Sequence, residues 1–308
     1  MVYSKISVFT SLLVFLTFSF LPKTSFAEGN VCEEPSSGIS PDGKYDFSTA
    51  LFGGGFEKFS TVWPRIFVSG IPVKKNEDGT EEVFPLQSRS GRIIVVTPRY
   101  IITSNHIVDL SFFSMPLRTP FGMRMEEMKA DEVRNERFWL QVSYNSPELL
   151  LNKVAMLPDI DGAVFELADT TFVLKPNLPL GRSRDLCLGH TVFIIGSPAM
   201  LGTHIRESVI SAFHFIPQSL VDKKVFGPLD VNLLITISAN IDLGDSGSPI
   251  IALRDGVPEI VGVISNVFAV GGLVHGFSMI VPIDEIIKRM RESTGIDLKS
   301  LSDEYFYK

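Results

Sequence analysis

The chain has 308 residues, 45% of them hydrophobic, enough for one large all-β domain or two small ones around a sizeable core. Its formal charge is −7 with no basic block, which removes the electrostatic basis for nucleic-acid binding. Two cysteines without a CxxC pair, and histidines without close ligand spacing, point away from a metal site.

Lys5 precedes an apolar run from Ile6 to Leu21, and Ser25-Phe26-Ala27 offers small residues for cleavage, so residues 1–27 read as a secretory signal and the protein as exported, secreted or periplasmic. The run is short for a membrane span and no second one follows, so no stable span is expected after signal removal; a retained signal anchor is the alternative. Residues 28–61, rich in Gly, Ser and Pro, read as an N-terminal arm. Its Gly53-Gly54-Gly55 lacks the strand and helix of a phosphate loop. In an oxidising compartment Cys32 could pair with Cys187 and tie the arm down; equally, Cys187 could be a small buried hydrophobe.

Strands rich in Ile, Val and Phe are predicted at 62–68, 91–97 and 138–144, with a surface insertion carrying a short helix at 113–137. A turn-rich connection at 172–188 separates these from further strands at 191–195, 206–215, 233–238, 249–253 and 260–268. Short strands separated by turn signals predict an all-β barrel or sandwich. Ile286, Ile287 and Met290 have helical spacing, so 284–292 is predicted to close the domain as a helix, followed by a short polar tail at 293–308.

Gly244-Asp245-Ser246-Gly247-Ser248-Pro249 holds a serine between two glycines, the composition of a sharp turn that exposes a hydroxyl and aims backbone N–H groups at one spot. Upstream lie Thr103-Ser104-Asn105-His106-Ile107-Val108 and, ahead of an alternating segment, Asp159-Ile160-Asp161-Gly162-Ala163-Val164. The order His, Asp, Ser is that of chymotrypsin-type triads. Ser246 would be the nucleophile, His106 the general base and Asp161 the residue that fixes the imidazole tautomer, with Asp159 its competitor for that role.

These motifs resemble those of trypsin-like serine proteases, most of all the protease domain of the HtrA/Deg group. Phe193-Ile194-Ile195-Gly196-Ser197-Pro198 is similar to that group's Gly-Asn/Ser-Pro loop, and Gly276 to Pro282 to its closing strand. The resemblance implies two six-stranded antiparallel β-barrels of chymotrypsin/trypsin type with a C-terminal helix, and a protease domain over 62–292 with its internal boundary near 172–190. It also implies an oxyanion hole from the N–H groups of Gly244 and Ser246. Substrate-binding residues would be Ser238, Ala239, Asn240, Ile241, Ser265, Asn266 and Val267, with Gly271 and Gly272 nearby. Asn240 occupies the place of the acid in the trypsin pocket, which favours a small or medium apolar side chain; His275 could instead favour an acidic one.

Two departures from the group are expected. The short tail at 293–308 has no room for the PDZ module that usually follows. Asp245 and Ser248 replace the group's usual Asn and Gly, and a buried Asp245 requires a cation or N–H donors. No Ile-Val-Gly-Gly start is visible before Trp63, which leaves Arg182, Arg184 and Arg206 as candidate partners. The expected function is a serine endopeptidase acting on protein or peptide substrates through an acyl-enzyme, without cofactor or metal. The alternative is a protease-like binding protein that captures a peptide or partner without cleaving it. Oligomeric state is not legible.

Overall fold

Buried and half-exposed residues alternate along Arg65–Lys75 (β1), where Ile66, Val68 and Val73 turn inward, the pattern of a strand with one wet face. The structure, a computed structural model, describes residues 42–46, 63–119, 122–143, 145–198, 202–213, 230, 233–270 and 273–307. The predicted signal, Cys32, most of the arm, and Gly271 and Gly272 lie outside the described residues, as do the side chains of Asn266, Val267 and His275.

The first sheet contains β1, Glu81–Val83 (β2), Gln87–Arg92 (β3), Ile94–Val95 (β4), Tyr100–Ser104 (β5), Glu132–Gln141 (β8), Leu149–Leu157 (β9) and Gly162–Leu167 (β10), in the order β2-β1-β8-β9-β10-β5-β4, with β3 on β1. β3 and β4 are consecutive, broken only at Ile93. Because β3 pairs with β1 and β4 with β5, together they carry the sheet round on itself as the sixth staves of a barrel do. β2 is an extra flank on β1. The second sheet is a closed six-stranded barrel of Thr191–Gly196 (β11), His204–Phe213 (β12), Ile235–Ile237 (β13), Pro249–Arg254 (β14), Val257–Val270 (β15) and Leu273–Pro282 (β16), ordered β11-β12-β13-β16-β15-β14. The predicted all-β, two-barrel architecture is therefore the observed one.

Each barrel has its own core. Ile66, Val68, Ile93, Ile101, Phe138 and Phe165 fill the first, and Val192, Ile194, Ile210, Ile250, Ile264 and Ile280 fill the second. A third cluster joins them: Ile102 and Val164 from the first meet Phe193, Ile251 and Val263 from the second. Fully burying each such side chain contributes about 1.5–3 kcal/mol, so the barrels are cemented along one seam. The predicted closing helix, Ile283–Thr294, completes that seam with Ile283, Ile286 and Met290, and ends at Gly295 in the left-handed region (φ 76°).

Two local expectations are corrected. Among its described residues the insertion holds no helix: Phe112–Thr119 (β6) and Gly122–Lys129 (β7) form a hairpin registered from Phe112↔Lys129 to Thr119↔Gly122. Period-two packing wins over the helical preference of Met and Glu because Phe113 and Met128 on one face settle on Phe84, with the Phe84 and Phe113 rings 4.9 Å apart. The polar tail is also structured, as the helix Leu298–Tyr307, with Leu298 buried and the buried hydroxyl of Ser302 accepting the Leu180 N–H at 3.3 Å.

Within the arm, Asp42 to Asp46 dock on the second barrel. Tyr45 is wholly buried, donates to Glu259 Oε2 at 2.8 Å, and lies under the Arg254 guanidinium, 4.1 Å from ring centroid to Cζ. Burial and Glu259 raise its phenol pKa. Cys187 is disulfide-bonded, and the only other cysteine in the sequence is Cys32.

Candidate active site

The strand β5 ends in a single helical turn, Asn105–Val108 (α1), which places His106 at the seam between the barrels. A turn this short needs outside support. Arg89 on β3 supplies some, donating from Nη1 to the carbonyls of His106 (2.7 Å) and Asp109 (2.9 Å). Asp161 supplies the rest: its carbonyl accepts the Asn105 N–H at 3.0 Å and its Oδ1 accepts the His106 N–H at 2.8 Å.

The same carboxylate orients the imidazole. Asp161 Oδ2 lies 2.8 Å from His106 Nδ1 and accepts a 2.6 Å hydrogen bond from Ser265 Oγ. Asp161 is 5% exposed and adopts φ 56°, a left-handed geometry that Asp tolerates better than most non-glycine residues. A buried carboxylate beside Nδ1 holds the proton there and leaves Nε2 as the basic nitrogen. Asp159, its sequence competitor, points elsewhere, to Arg289 Nη2 at 3.1 Å.

The serine turn is anchored from both barrels. The Arg92 N–H on β3 donates to the Ser246 carbonyl at 2.9 Å, while the Gly247 N–H donates to the Ile264 carbonyl at 3.1 Å. Ser104 Oγ, two residues before His106, donates to that same Ile264 carbonyl at 2.5 Å. Thr103 Oγ1 donates to the Arg92 carbonyl at 2.7 Å. Arg92 is buried and hydrogen-bonded to the Trp63 carbonyl; burial, with Arg65 alongside, lowers its pKa to about 10, still cationic at neutral pH.

Within the turn the amides divide into two sets. Those of Asp245, Gly247 and Ser248 donate to the carbonyls of Asp242, Ile264 and Asp245. Those of Gly244 and Ser246 have no acceptor among the described residues. His106 and Ser246 are not hydrogen-bonded to each other among the described residues. Such contacts often tighten only with substrate in place.

The residues expected to bind substrate gather beside the turn. Ser238 to Ile241 lead from β13 into it, and the Ala239 carbonyl accepts from Ser278 Oγ at 2.6 Å. Asn240 Oδ1 faces Gly276, 3.5 Å from where a Cβ would sit. Ser238 Oγ is hydrogen-bonded to Ser211 Oγ. β15 pairs with β14 only as far as Val263, then runs on through Ser265, Asn266 and Val267 paired with β16 alone. Its other edge there has no strand partner among the described residues.

Asp245 is completely buried and finds its cation in Arg206, one of the three candidates, at 2.7 Å. The Ser104 and Thr103 hydroxyls and the Arg92 amide escaped the sequence reading. Their partners are main-chain carbonyls on other strands, which leave no mark in composition. Among the described residues, no group of three His, Cys, Asp or Glu side chains is placed to hold a metal ion, and no helix is long and apolar enough to cross a membrane.

No protein-family model matches the chain. It is 26% identical over 220 residues to a "Probable periplasmic serine endoprotease DegP-like" of Pseudomonas fluorescens, a match covering 71% of this chain and 38% of the relative. A protein of the same description from Pseudomonas putida is 25% identical over 231 residues, 75% of this chain and 40% of the relative. The chain spans less than half the length of these curated relatives. Among solved structures, "HtrA-type protease AlgW with decapeptide" matches with a TM-score of 0.52 at 17% identity, over 78% of this chain and 66% of that one. The fold is thus that of trypsin-like, HtrA-type proteases, and the resemblance drawn from the motifs stands.

Proposed function

We propose that the protein is an exported serine endopeptidase. Ser246 Oγ attacks the scissile carbonyl and His106 Nε2 takes its proton. The oxyanion forms against the N–H groups of Gly244 and Ser246. His106 then gives the proton to the leaving amine, and water hydrolyses the acyl-enzyme by the same path. Asp161 holds the imidazole tautomer and stabilises the imidazolium. A substrate peptide would add to the open edge of β15 at Ser265–Val267 through main-chain hydrogen bonds, with its side chain in a pocket lined by Ser238, Ala239, Asn240 and Ile241. No step requires a cofactor. Export rests on the N-terminal signal pattern and on the periplasmic descriptions of the relatives. The protease domain would occupy 62–292, after a signal at 1–27 and an arm at 28–61, with the barrel boundary near 172–190 and residues 293–308 beyond it.

The observation that carries this reading is the pair of unspent amides at Gly244 and Ser246, flanking a buried carboxylate, in a turn tied to the strand that leads to His106. Gly244 and Ser246 are both half-exposed, so these two N–H groups are open to an incoming oxyanion. The missing His106–Ser246 hydrogen bond is what favours the alternative, a peptide- or partner-binding protein. Reaction with a fluorophosphonate, read by mass spectrometry, decides between them. Adduct on Ser246, and no peptide cleavage by Ser246→Ala, supports the peptidase. No adduct on folded protein supports the binder.

A further inference from the structure

The turn at 242–248 contains a charge that water does not reach. Asp245 is completely buried, and its Oδ2 accepts from the Asp242 N–H at 2.8 Å and from Arg206 Nη2 at 2.7 Å. Its Oδ1 has no hydrogen-bond partner among the described residues and is wedged against Gly196, where a Cβ would come to 2.0 Å. Among the described residues Arg206 is the one cation hydrogen-bonded to the carboxylate, while the buried Arg92 acts on it only through its charge. Arg206 reaches it from β12, and its other terminal nitrogen, Nη1, donates to the Asn240 carbonyl at 2.6 Å. One planar guanidinium thus grips both the carboxylate in the middle of the turn and the Asn240 backbone, which the proposed function places in the wall of the substrate pocket.

Asp245 sits between the two residues whose amides are unspent. Any swing of its side chain towards water would rotate the peptides on either side, and with them the Gly244 and Ser246 N–H groups. A buried carboxylate that loses its cation is strongly driven to make that swing. A lysine could supply the charge but not the fork that spans two acceptors.

We infer that Arg206 is a positioning residue: it locks the Gly244–Ser246 amides in their outward arrangement and sets the Asn240 wall at the same time. With this side chain already seated on Asp245, the turn needs no newly exposed N-terminus to hold it. Asp245 and Arg206 act as one unit, so the harm done by losing Arg206 comes from the stranded carboxylate and is relieved by neutralising it.

This rests on the peptidase reading, and the experiment separates the two. The second-order rate of fluorophosphonate reaction, kcat and KM on a cleaved peptide, and the thermal midpoint are measured for the full chain and for Arg206→Met, Arg206→Lys, Asp245→Asn and the Arg206→Met/Asp245→Asn double variant. Arg206→Met is expected to lower kcat and the reaction rate about 100-fold, the scale of losing an oxyanion donor, with KM changing less than about tenfold. The double variant is expected to recover to within about tenfold of the parent, a non-additivity that a merely structural arginine would not show. Arg206→Lys is expected to fall between, and it carries the test if Arg206→Met does not fold. A reactive parent with equally reactive Arg206 variants, or a folded double variant no better than the single, overturns the lock alone. An unreactive parent overturns the peptidase reading and the lock with it.

Discussion

Ser265 Oγ and Asp161 Oδ2 meet at 2.6 Å although 104 positions separate them, so a strand of the second barrel buttresses the carboxylate that orients a histidine in the first. The bond is charge-assisted and buried, which places it among the stronger side-chain hydrogen bonds. Ser265→Ala is expected to lower kcat about tenfold with little change in KM, corresponding to about 1.5 kcal/mol lost from the oriented imidazole. Steady-state kinetics beside a thermal melt check this; an unchanged kcat would mean that His106 holds Asp161 in place unaided.

Gly247 has φ 78°, and a Cβ there would come within 2.2 Å of the Arg92 carbonyl oxygen and 2.6 Å of Thr103 Oγ1. The obstacle is backbone belonging to the other barrel, so it cannot move cheaply. Gly247→Ala is expected to cost about 3 kcal/mol and lower the thermal midpoint by about 10 °C, while also abolishing phosphonate reaction. Calorimetry and labelling on the same sample test both halves.

Asn240, which we propose lines the substrate pocket, has its Oδ1 facing Gly276. It offers no negative charge for a basic side chain, and the expected preference is for small or medium apolar residues. Asn240→Asp is expected to shift kcat/KM towards Lys or Arg over Ala or Val by about tenfold, measured on paired peptides differing at that one residue. A ratio that stays put would locate the specificity elsewhere in the wall.

His190 is buried, and its Nδ1 accepts the Cys187 N–H at 2.9 Å. Burial first, and the Arg254 charge second, lower its pKa from 6.5 to about 4. A depressed histidine binds its proton more readily unfolded than folded. Its contribution to stability is therefore complete above about pH 6.5 and is lost as pH falls towards 4, by up to about 3 kcal/mol. His190→Asn, which keeps an acceptor but does not titrate, is expected to flatten the stability profile between pH 7 and pH 4. Urea midpoints at several pH values check it, and an identical slope in both proteins would contradict it.

Much of this was legible along the chain. Turn residues punctuating Val- and Ile-rich runs announced the strands. The helical spacing of Ile286 and Met290 announced the closing helix. Both signals are local, arising from one segment's preference for one period. The hairpin at Phe112–Lys129 is not legible in its own segment because Met and Glu favour helix in isolation, and only contact with Phe84, some 30 residues earlier, rewards alternation instead. The helix in the tail leaves little trace in the sequence because its one deeply buried apolar residue among those described, Leu298, makes too thin a stripe to register.

The sequence by itself determined which residue types were available and in what order: a histidine, an aspartate and a serine, each in a segment able to present it, with glycines where the serine turn needs them. Tertiary structure decided who meets whom. It selected Asp161 over Asp159, chose Arg206 from three arginines, and placed the Ile264 carbonyl where Ser104 and Gly247 both reach it. The reason is physical: hydrogen bonds and ion pairs act over about 3 Å, and residues a hundred positions apart come that close only after the two barrels have closed and packed along their shared seam.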